Sequence, residues 1–274
     1  MLSRAERDRV FRQAYVPEHL PEYVAAVSGA EPFLHQDHLC FVSRSHLLFI
    51  GYPLGRPDAD TAEAWASARR HFAPKTTALI APEINLPPEE YGLEAQDHYY
   101  RLDLPAPRPG PKTANMVRRA GRELAVGPGR FGRDHRRLVK DFLSRRDLPQ
   151  EQKRLFHRLD AYLKRSPTAR LLEARKGRVL AAFNVLDLGS ADFAFWLFSV
   201  RCLKLNVPGA VDLLMNEMAA LALAEGKKAI NLGLGLTGGT RRFKEKWGGR
   251  PFLAYASAIQ KRSFFDPEAL FRKL

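Results

Sequence analysis

Two stretches of the sequence hold residue types that can do chemistry, and each sits at a helix start. In Leu203-Lys-Leu-Asn-Val-Pro-Gly-Ala210 an apolar run passes into a helix. Pro208 lacks an N–H that would be unpaired there anyway, and Gly209 lets a ligand approach the main chain. The amides of Gly209, Ala210 and Val211 are then expected to hold an anion, such as a pyrophosphate or a carboxylate. The motif alone is not specific, since most helices that start with Pro-Gly bind nothing.

The second stretch is Asn231-Leu-Gly-Leu-Gly-Leu-Thr-Gly-Gly-Thr-Arg-Arg-Phe-Lys-Glu-Lys-Trp-Gly-Gly249. Gly233, Gly235, Gly238 and Gly239 punctuate a strand end and its loop, and a cationic helix follows. No Gly-Lys-Ser/Thr follows the glycines, so this is not a P-loop, and the spacing does not fit a dinucleotide fingerprint. Thr237 or Thr240 can cap the helix. Phe243 and Trp247 share one helix face and are expected to pack inward. Arg242, Lys244 and Lys246 then point elsewhere, and the bland reading of each is a solvent-facing charge.

Other candidates are thinner. His35-x-x-His38 with Asp37 lacks a third metal ligand, so no metal site is expected. Glu217 lies on an apolar helix, as a base or as a rim carboxylate. Tyr99-Tyr100 line a pocket or fill a core. Neither a Ser-His-Asp order nor a nucleophile elbow is visible. What remains is chemistry by positioning, in which two bound reactants are held together and few side chains react.

The elements that would do the positioning are legible. Residues 3–28 read as helical, interrupted at Pro17 and Pro21. A hairpin at 38–51, a helix opened by Asp60-Thr61 and strands at 77–81 and 98–104 give a β-β-α-β-β order. Pro105-Ala-Pro-Arg-Pro-Gly-Pro111 marks a boundary. Three basic helices follow, at 115–124, 133–144 and 150–164, the last with an apolar stripe of Leu155, Leu159 and Tyr162. Strands at 169–174, 179–188 and 193–200 come next. A helix from Pro208 to Glu225 ends at Gly226, and a strand, the basic helix and a last strand at 251–259 complete the chain. The expected fold class is α/β (α+β).

With 274 residues the chain can bury one large core or two domains. No stretch approaches the roughly 20 apolar residues that span a bilayer. The mixed charges of the amino terminus do not read as a signal peptide. Cys40 and Cys202 each sit in an apolar run and read as buried free thiols that suit a reducing cytoplasm, with a disulfide as the alternative. Net charge is +14, and residues 112–178 carry 20 Lys and Arg against 7 Asp and Glu. Fifteen of the twenty are arginine, whose planar fork suits phosphate. The expected partner is acidic: tRNA, a nucleotide-linked substrate or anionic lipid. The other reading is a pair of solvated helix faces.

Pro208-Gly-Ala210, the helix to Gly226, Asn231-Leu-Gly233, Gly238-Gly239 and Phe243-Lys-Glu-Lys-Trp-Gly-Gly249 resemble the carboxyl half of the Fem-type aminoacyl transferases within the GNAT superfamily. The resemblance extends to the catalytic domain of phosphatidylglycerol lysyltransferases, and Asn115-Met-Val-Arg-Arg-Ala120 resembles the basic helix placed between the halves of such proteins. Specific motifs cover about 90 residues, while residues 1–110 match only in pattern. The resemblance implies two GNAT-like mixed-sheet halves in tandem, 1–110 and 166–274, joined by a basic helical connector at 111–165. It further implies an acyltransferase that moves an acyl or aminoacyl group from an activated donor to an amine or hydroxyl. Lys244 would offset negative charge in catalysis. Asn206, Gly209, Ala210, Val211, Gly238 and Gly239 would hold the donor, and Lys112, Arg118, Arg119, Phe243 and Trp247 would contact the substrate. No tightly bound cofactor is expected; the donor would be acyl-CoA or aminoacyl-tRNA. The acetyl-CoA motif Arg/Gln-x-x-Gly-x-Gly/Ala is not intact, only Arg201 and Gly209-Ala210 being reminiscent of it, which favours aminoacyl-tRNA or another activated acyl donor. The alternative is a tRNA-binding protein on a catalytically silent GNAT scaffold. Location is expected to be cytoplasmic, with the inner membrane face as a place of peripheral contact.

Overall fold

The computed structural model describes residues 1–55, 61–148, 150–205 and 207–260. Asp60, expected to open a helix, and Asn206, expected to hold the donor, lie outside the described residues. Two compact units divide the chain. The first comprises Met1–Leu2, Ala30–Asp97 and the described residues from Ala254 on; the second comprises Ser3–Gly29 and His98–Leu253.

In the first unit, strands β1 (Glu31–His35), β2 (His38–Ser43), β3 (His46–Ile50) and β4 (Thr76–Ala81) lie in sequence order. β1, β2 and β3 pair antiparallel, and β3 pairs parallel with β4 across the helix Thr61–Phe72, as a crossover requires. The end of a long last strand, Arg250–Gln260, adds antiparallel to β4. Trp65 and Ala68 of the helix close a core with Phe49, Leu79 and Tyr91.

The second unit opens with α1 (Arg4–Gln13), a 3-10 turn at Pro17–His19 and α2 (Pro21–Ser28). With the helix Thr61–Phe72 counted as α3, it continues through β5 (Tyr91–Asp103), which starts in the first unit, α4 (Pro111–Glu123) and β6 (Ala125–Pro128). Next come α5 (Arg133–Ser144), α6 (Gln150–Arg165), β7 (Ala169–Lys176), β8 (Val179–Asp187) and β9 (Phe193–Arg201). α7 (Ala210–Ala224), β10 (Ala229–Leu234), α8 (Gly238–Lys246) and the start of β11, the last strand, complete it. Its strand order is β5-β10-β9-β8-β7-β6, antiparallel except for β9 with β10.

Helices cover both faces of this sheet. Ala182 and Leu186 of β8 meet Leu214 and Met218 of α7, while Phe183 and Val185 meet Leu138 of α5 and Leu159 and Tyr162 of α6. Burial on both faces explains why β8 reads as an unbroken apolar run rather than an alternating one. It also explains the expected stripe Leu155, Leu159, Tyr162, which α6 turns onto the sheet.

The compact units do not follow the expected boundaries at 110 and 165. Residues 3–29 belong with the second unit, and the basic helices α4, α5 and α6 pack inside it rather than standing apart as a connector. The reason is their apolar faces, which need a partner, and a sheet with two faces to cover. The fold class is α+β, as expected. Cys40 and Cys202 are both free thiols. Among the described residues no helix is long and apolar enough to cross a membrane.

Candidate functional site

The second unit holds a cleft of about 1000 Å³. It exists because two parallel strands part. β9 and β10 pair at Phe193↔Ala229, Ala194↔Ile230 and Phe195↔Asn231, and among the described residues the pairing stops there. There β10 bulges on its other side, between Asn231 and Leu234, as it pairs with β5. Gly233 supplies the positive φ, +73°, that such a bulge needs. Asn231, fully buried, locks it: Oδ1 accepts the Gly233 N–H at 2.8 Å, and Nδ2 donates to the Tyr15 carbonyl at 2.9 Å. The walls of the opening are Trp196 to Ser199 of β9 and Leu232 to Leu234 of β10.

Pro208, Gly209, Ala210 and Val211 line the same cleft, so the start of α7 faces it. Gly209 is the N-cap, with φ +84°, and a Cβ there would stand 2.5 Å from the Met116 carbonyl oxygen of α4. Only glycine fits. One expected donor is lost: the Ala210 amide is taken by the Val207 carbonyl at 3.3 Å. Gly209 has no side chain to cap the helix, which leaves the first-turn amides of Val211 and Asp212 for a ligand or water.

Lys244 lines the same cleft as the start of α7 and does not face solvent, the other reading of its position. It is 2% exposed, and its Nζ donates to the Leu234 carbonyl at 2.5 Å. The ammonium lies 5.4 Å from the centre of the Tyr100 ring and 6.0 Å from that of Trp196. A buried cation thus sits at the end of β10 between two aromatic faces, which attract it through their ring quadrupoles. Helical spacing alone does not place it, because α8 packs on more than its Phe243–Trp247 face. Arg242 and Lys246 are exposed, as expected.

Thr237 caps α8, accepting from the Thr240 amide at 3.2 Å, and both line the cleft with Gly239; Gly238 does not. Phe243 lines it too and packs at 5.6 Å against Trp196. Trp247 is a core residue away from the cleft, its indole donating to Asp212. Lys112, Arg118 and Arg119 are exposed on α4 and take no part in the lining, which α4 reaches only through Met116. Glu217 is absent from the lining as well. Tyr99 is buried and donates to Glu18 at 2.6 Å, while Tyr100 supplies the ring near Lys244.

Sequence reasoning missed Trp196, the end of α5 and Phe156 of α6. Six cations line the cleft, Arg145, Arg146, Arg201, Lys204, Lys244 and Lys246, against the acids Asp141 and Asp212. Asp212 is already engaged by Lys246 at 2.5 Å and by Trp247 at 3.0 Å. The lining holds no histidine, cysteine or glutamate, and the described residues hold no group of three metal-type ligands. Such a site can bind an anionic carrier and offset charge at a reacting oxygen; it offers no nucleophile–base pair.

No family model and no curated protein matches the sequence. Solved structures do. L-PGS from Bacillus licheniformis superposes with a TM-score of 0.59 at 15% identity, over 98% of this chain and 95% of its own. FemX matches with a TM-score of 0.58 at 9% identity, over 100% of this chain and 98% of its own. A GCN5-related N-acetyltransferase from Kribbella flavida matches at 0.53 and 10% identity, over 89% of this chain and 96% of its own. The chain therefore has a GNAT-like fold of the type shared by FemX and L-PGS.

Proposed function

We propose that the protein is an acyltransferase that moves an acyl or aminoacyl group from an activated donor to an amine or hydroxyl acceptor. The observation that carries this reading is that the first turn of α7 and the buried Lys244 line one cleft. In the proposed reaction the α7 amides, with Arg201 and Lys204 of the lining, hold the donor's anionic carrier. Lys244 offsets the negative charge that develops on the carbonyl oxygen as the acceptor attacks. The acceptor's proton leaves with the carrier. Holding both reactants supplies most of the rate, which fits a lining without a nucleophile–base pair.

Aminoacyl-tRNA is the preferred donor and acyl-CoA the other, since the acetyl-CoA motif is broken. A catalytically silent tRNA binder is the second reading, favoured by the exposure of Lys112, Arg118 and Arg119 away from the cleft. The proposed location is the cytoplasm, with peripheral contact at the inner membrane face. Mass spectrometry of the purified protein for a retained donor, followed by transfer assays with labelled aminoacyl-tRNA and acyl-CoA, tests the proposal. Tight, salt-dependent tRNA binding without transfer from either donor would favour the silent scaffold.

A further inference from the structure

The cleft has a second arm to which the acyl-transfer reading assigns no task. The end of α5 brings Phe142, the residues just past it bring Arg145 and Arg146, α6 brings Phe156, and β9 adds Leu197 and Phe198. These apolar groups belong to the core on the α5/α6 face of the sheet, whereas Trp196 and Phe243 belong to the α7 face. The opening between β9 and β10 therefore joins two chambers of different chemistry. One has helix amides and Lys244; the other has an aromatic floor with arginines beside it.

That floor is specific. The rings of Phe142 and Phe156 lie 4.9 Å apart, and those of Phe156 and Phe198 5.3 Å apart. Phe142 and Phe156 are only half-buried, so part of each ring remains open to a ligand. The Arg146 guanidinium stands 4.5 Å over the Phe142 ring, which holds its charge at the edge of the apolar surface. Arg136 and Arg175 nearby in sequence are spent on Asp160 and Asp134, but among the described residues Arg145 and Arg146 enter no ion pair. Asp141, one turn before them on α5, lines the same cleft and is likewise outside any ion pair among the described residues.

A polyanion without apolar groups would leave the aromatic floor unused, a nucleic acid would set its phosphates against the Asp141 carboxylate, and a neutral apolar molecule would leave the arginines unused. A zwitterion with an apolar side chain uses all three features. We infer that this arm binds the acceptor, and that the acceptor is a free α-amino acid with an aromatic or other large apolar side chain. Its carboxylate lies against Arg145 and Arg146, its amino group near Asp141, and its side chain on Phe142 and Phe156. Naming this molecule the acceptor rests on the acyl-transfer reading; its binding does not. In the reaction the ammonium first gives one proton to solvent, and the resulting amine nitrogen attacks the donor's acyl carbon. A carbon–nitrogen bond forms, and the carbon–oxygen or carbon–sulfur bond to the carrier breaks. The electron pair departs with the carrier, which takes up the proton the amine gives up, and the product is an N-acyl amino acid.

Calorimetric titration of the full chain with L-phenylalanine, L-phenylalaninamide, L-aspartate and phosphatidylglycerol vesicles tests the inference. Phenylalanine is expected to bind at least tenfold more tightly than its amide, which lacks the carboxylate charge, or than aspartate, which lacks the apolar side chain. Arg145→Ala with Arg146→Ala, two exposed positions that should fold normally, is expected to bring phenylalanine to the level of its amide. Phe142→Leu is expected to weaken phenylalanine and leave aspartate unchanged. Equal binding of acid and amide, or indifference to the arginine variants, would overturn the inference. So would vesicle binding with no amino-acid binding, which would assign the arm to a lipid surface. No donor is present in the titration, so the two readings fail separately. Phenylalanine binding without transfer from any donor would retain this site and sink the acyl-transfer reading.

Discussion

The indole Nε1 of Trp247 donates to Oδ1 of Asp212 at 3.0 Å, and both residues are buried. This bond ties the first turn of α7, whose amides face the cleft, to the end of α8, whose Lys244 closes it. Lys246 adds an ion pair at 2.5 Å to the same carboxylate oxygen. Trp247→Phe should therefore cost about 1–3 kcal/mol, mostly from an under-satisfied buried carboxylate. Urea denaturation measures the cost, and a variant as stable as the parent would show that the tie contributes nothing.

Lys244→Met keeps the length of the side chain and removes its charge. Transfer from the true donor is expected to fall about 10²–10³-fold, as when a single oxyanion-stabilising group is lost. Stability should change little, because a buried charge and its hydrogen bond to Leu234 disappear together. Single-turnover assays with a melting curve on the same sample decide it. Transfer at the parental rate would remove Lys244 from catalysis.

Gly209→Ala forces a side chain into φ +84° and against the Met116 carbonyl. The left-handed conformation alone costs about 1–2 kcal/mol, and the contact adds to it. A lowered urea midpoint and weakened donor binding are expected together. A melting temperature equal to the parent's would contradict the packing described for this helix start.

His38, in the first unit, gives a pH signature. Burial pushes its imidazole down to about 4, with Asp37 opposing and His35 reinforcing the shift. A folded-state value below the unfolded one means that the unfolded chain binds more protons between the two. Its contribution is complete above about pH 6.5 and is lost as pH falls toward 4. His38→Phe should flatten the slope of stability against pH in that window, by up to one proton. Chemical denaturation at half-unit pH steps reads it, and an unchanged slope would mean that His38 does not titrate as its burial requires.

Local order along the chain was set by local chemistry. Gly226 ends α7 in the left-handed conformation, Thr237 caps α8, and Pro105 to Pro111 separates β5 from α4. Short-range sterics and hydrogen bonds decide such features, so residue type and spacing suffice to read them. The same holds for the helix start at Pro208-Gly209, where a rigid φ and a glycine sit side by side.

What only the tertiary structure decided is which charged groups meet. Helical spacing left Lys244 facing either water or a bound reactant, and only the packing shows that its side turns toward Tyr100, Trp196 and the end of β10. Arg118 and Arg119 belong to the same basic run as Arg145 and Arg146, but only the second pair lines the cleft. Charge along a helix is fixed by sequence. Which stretch of that helix reaches the gap between β9 and β10 depends on how α4, α5 and α6 find the two faces of the sheet, and that packing is set by contacts far apart in the chain.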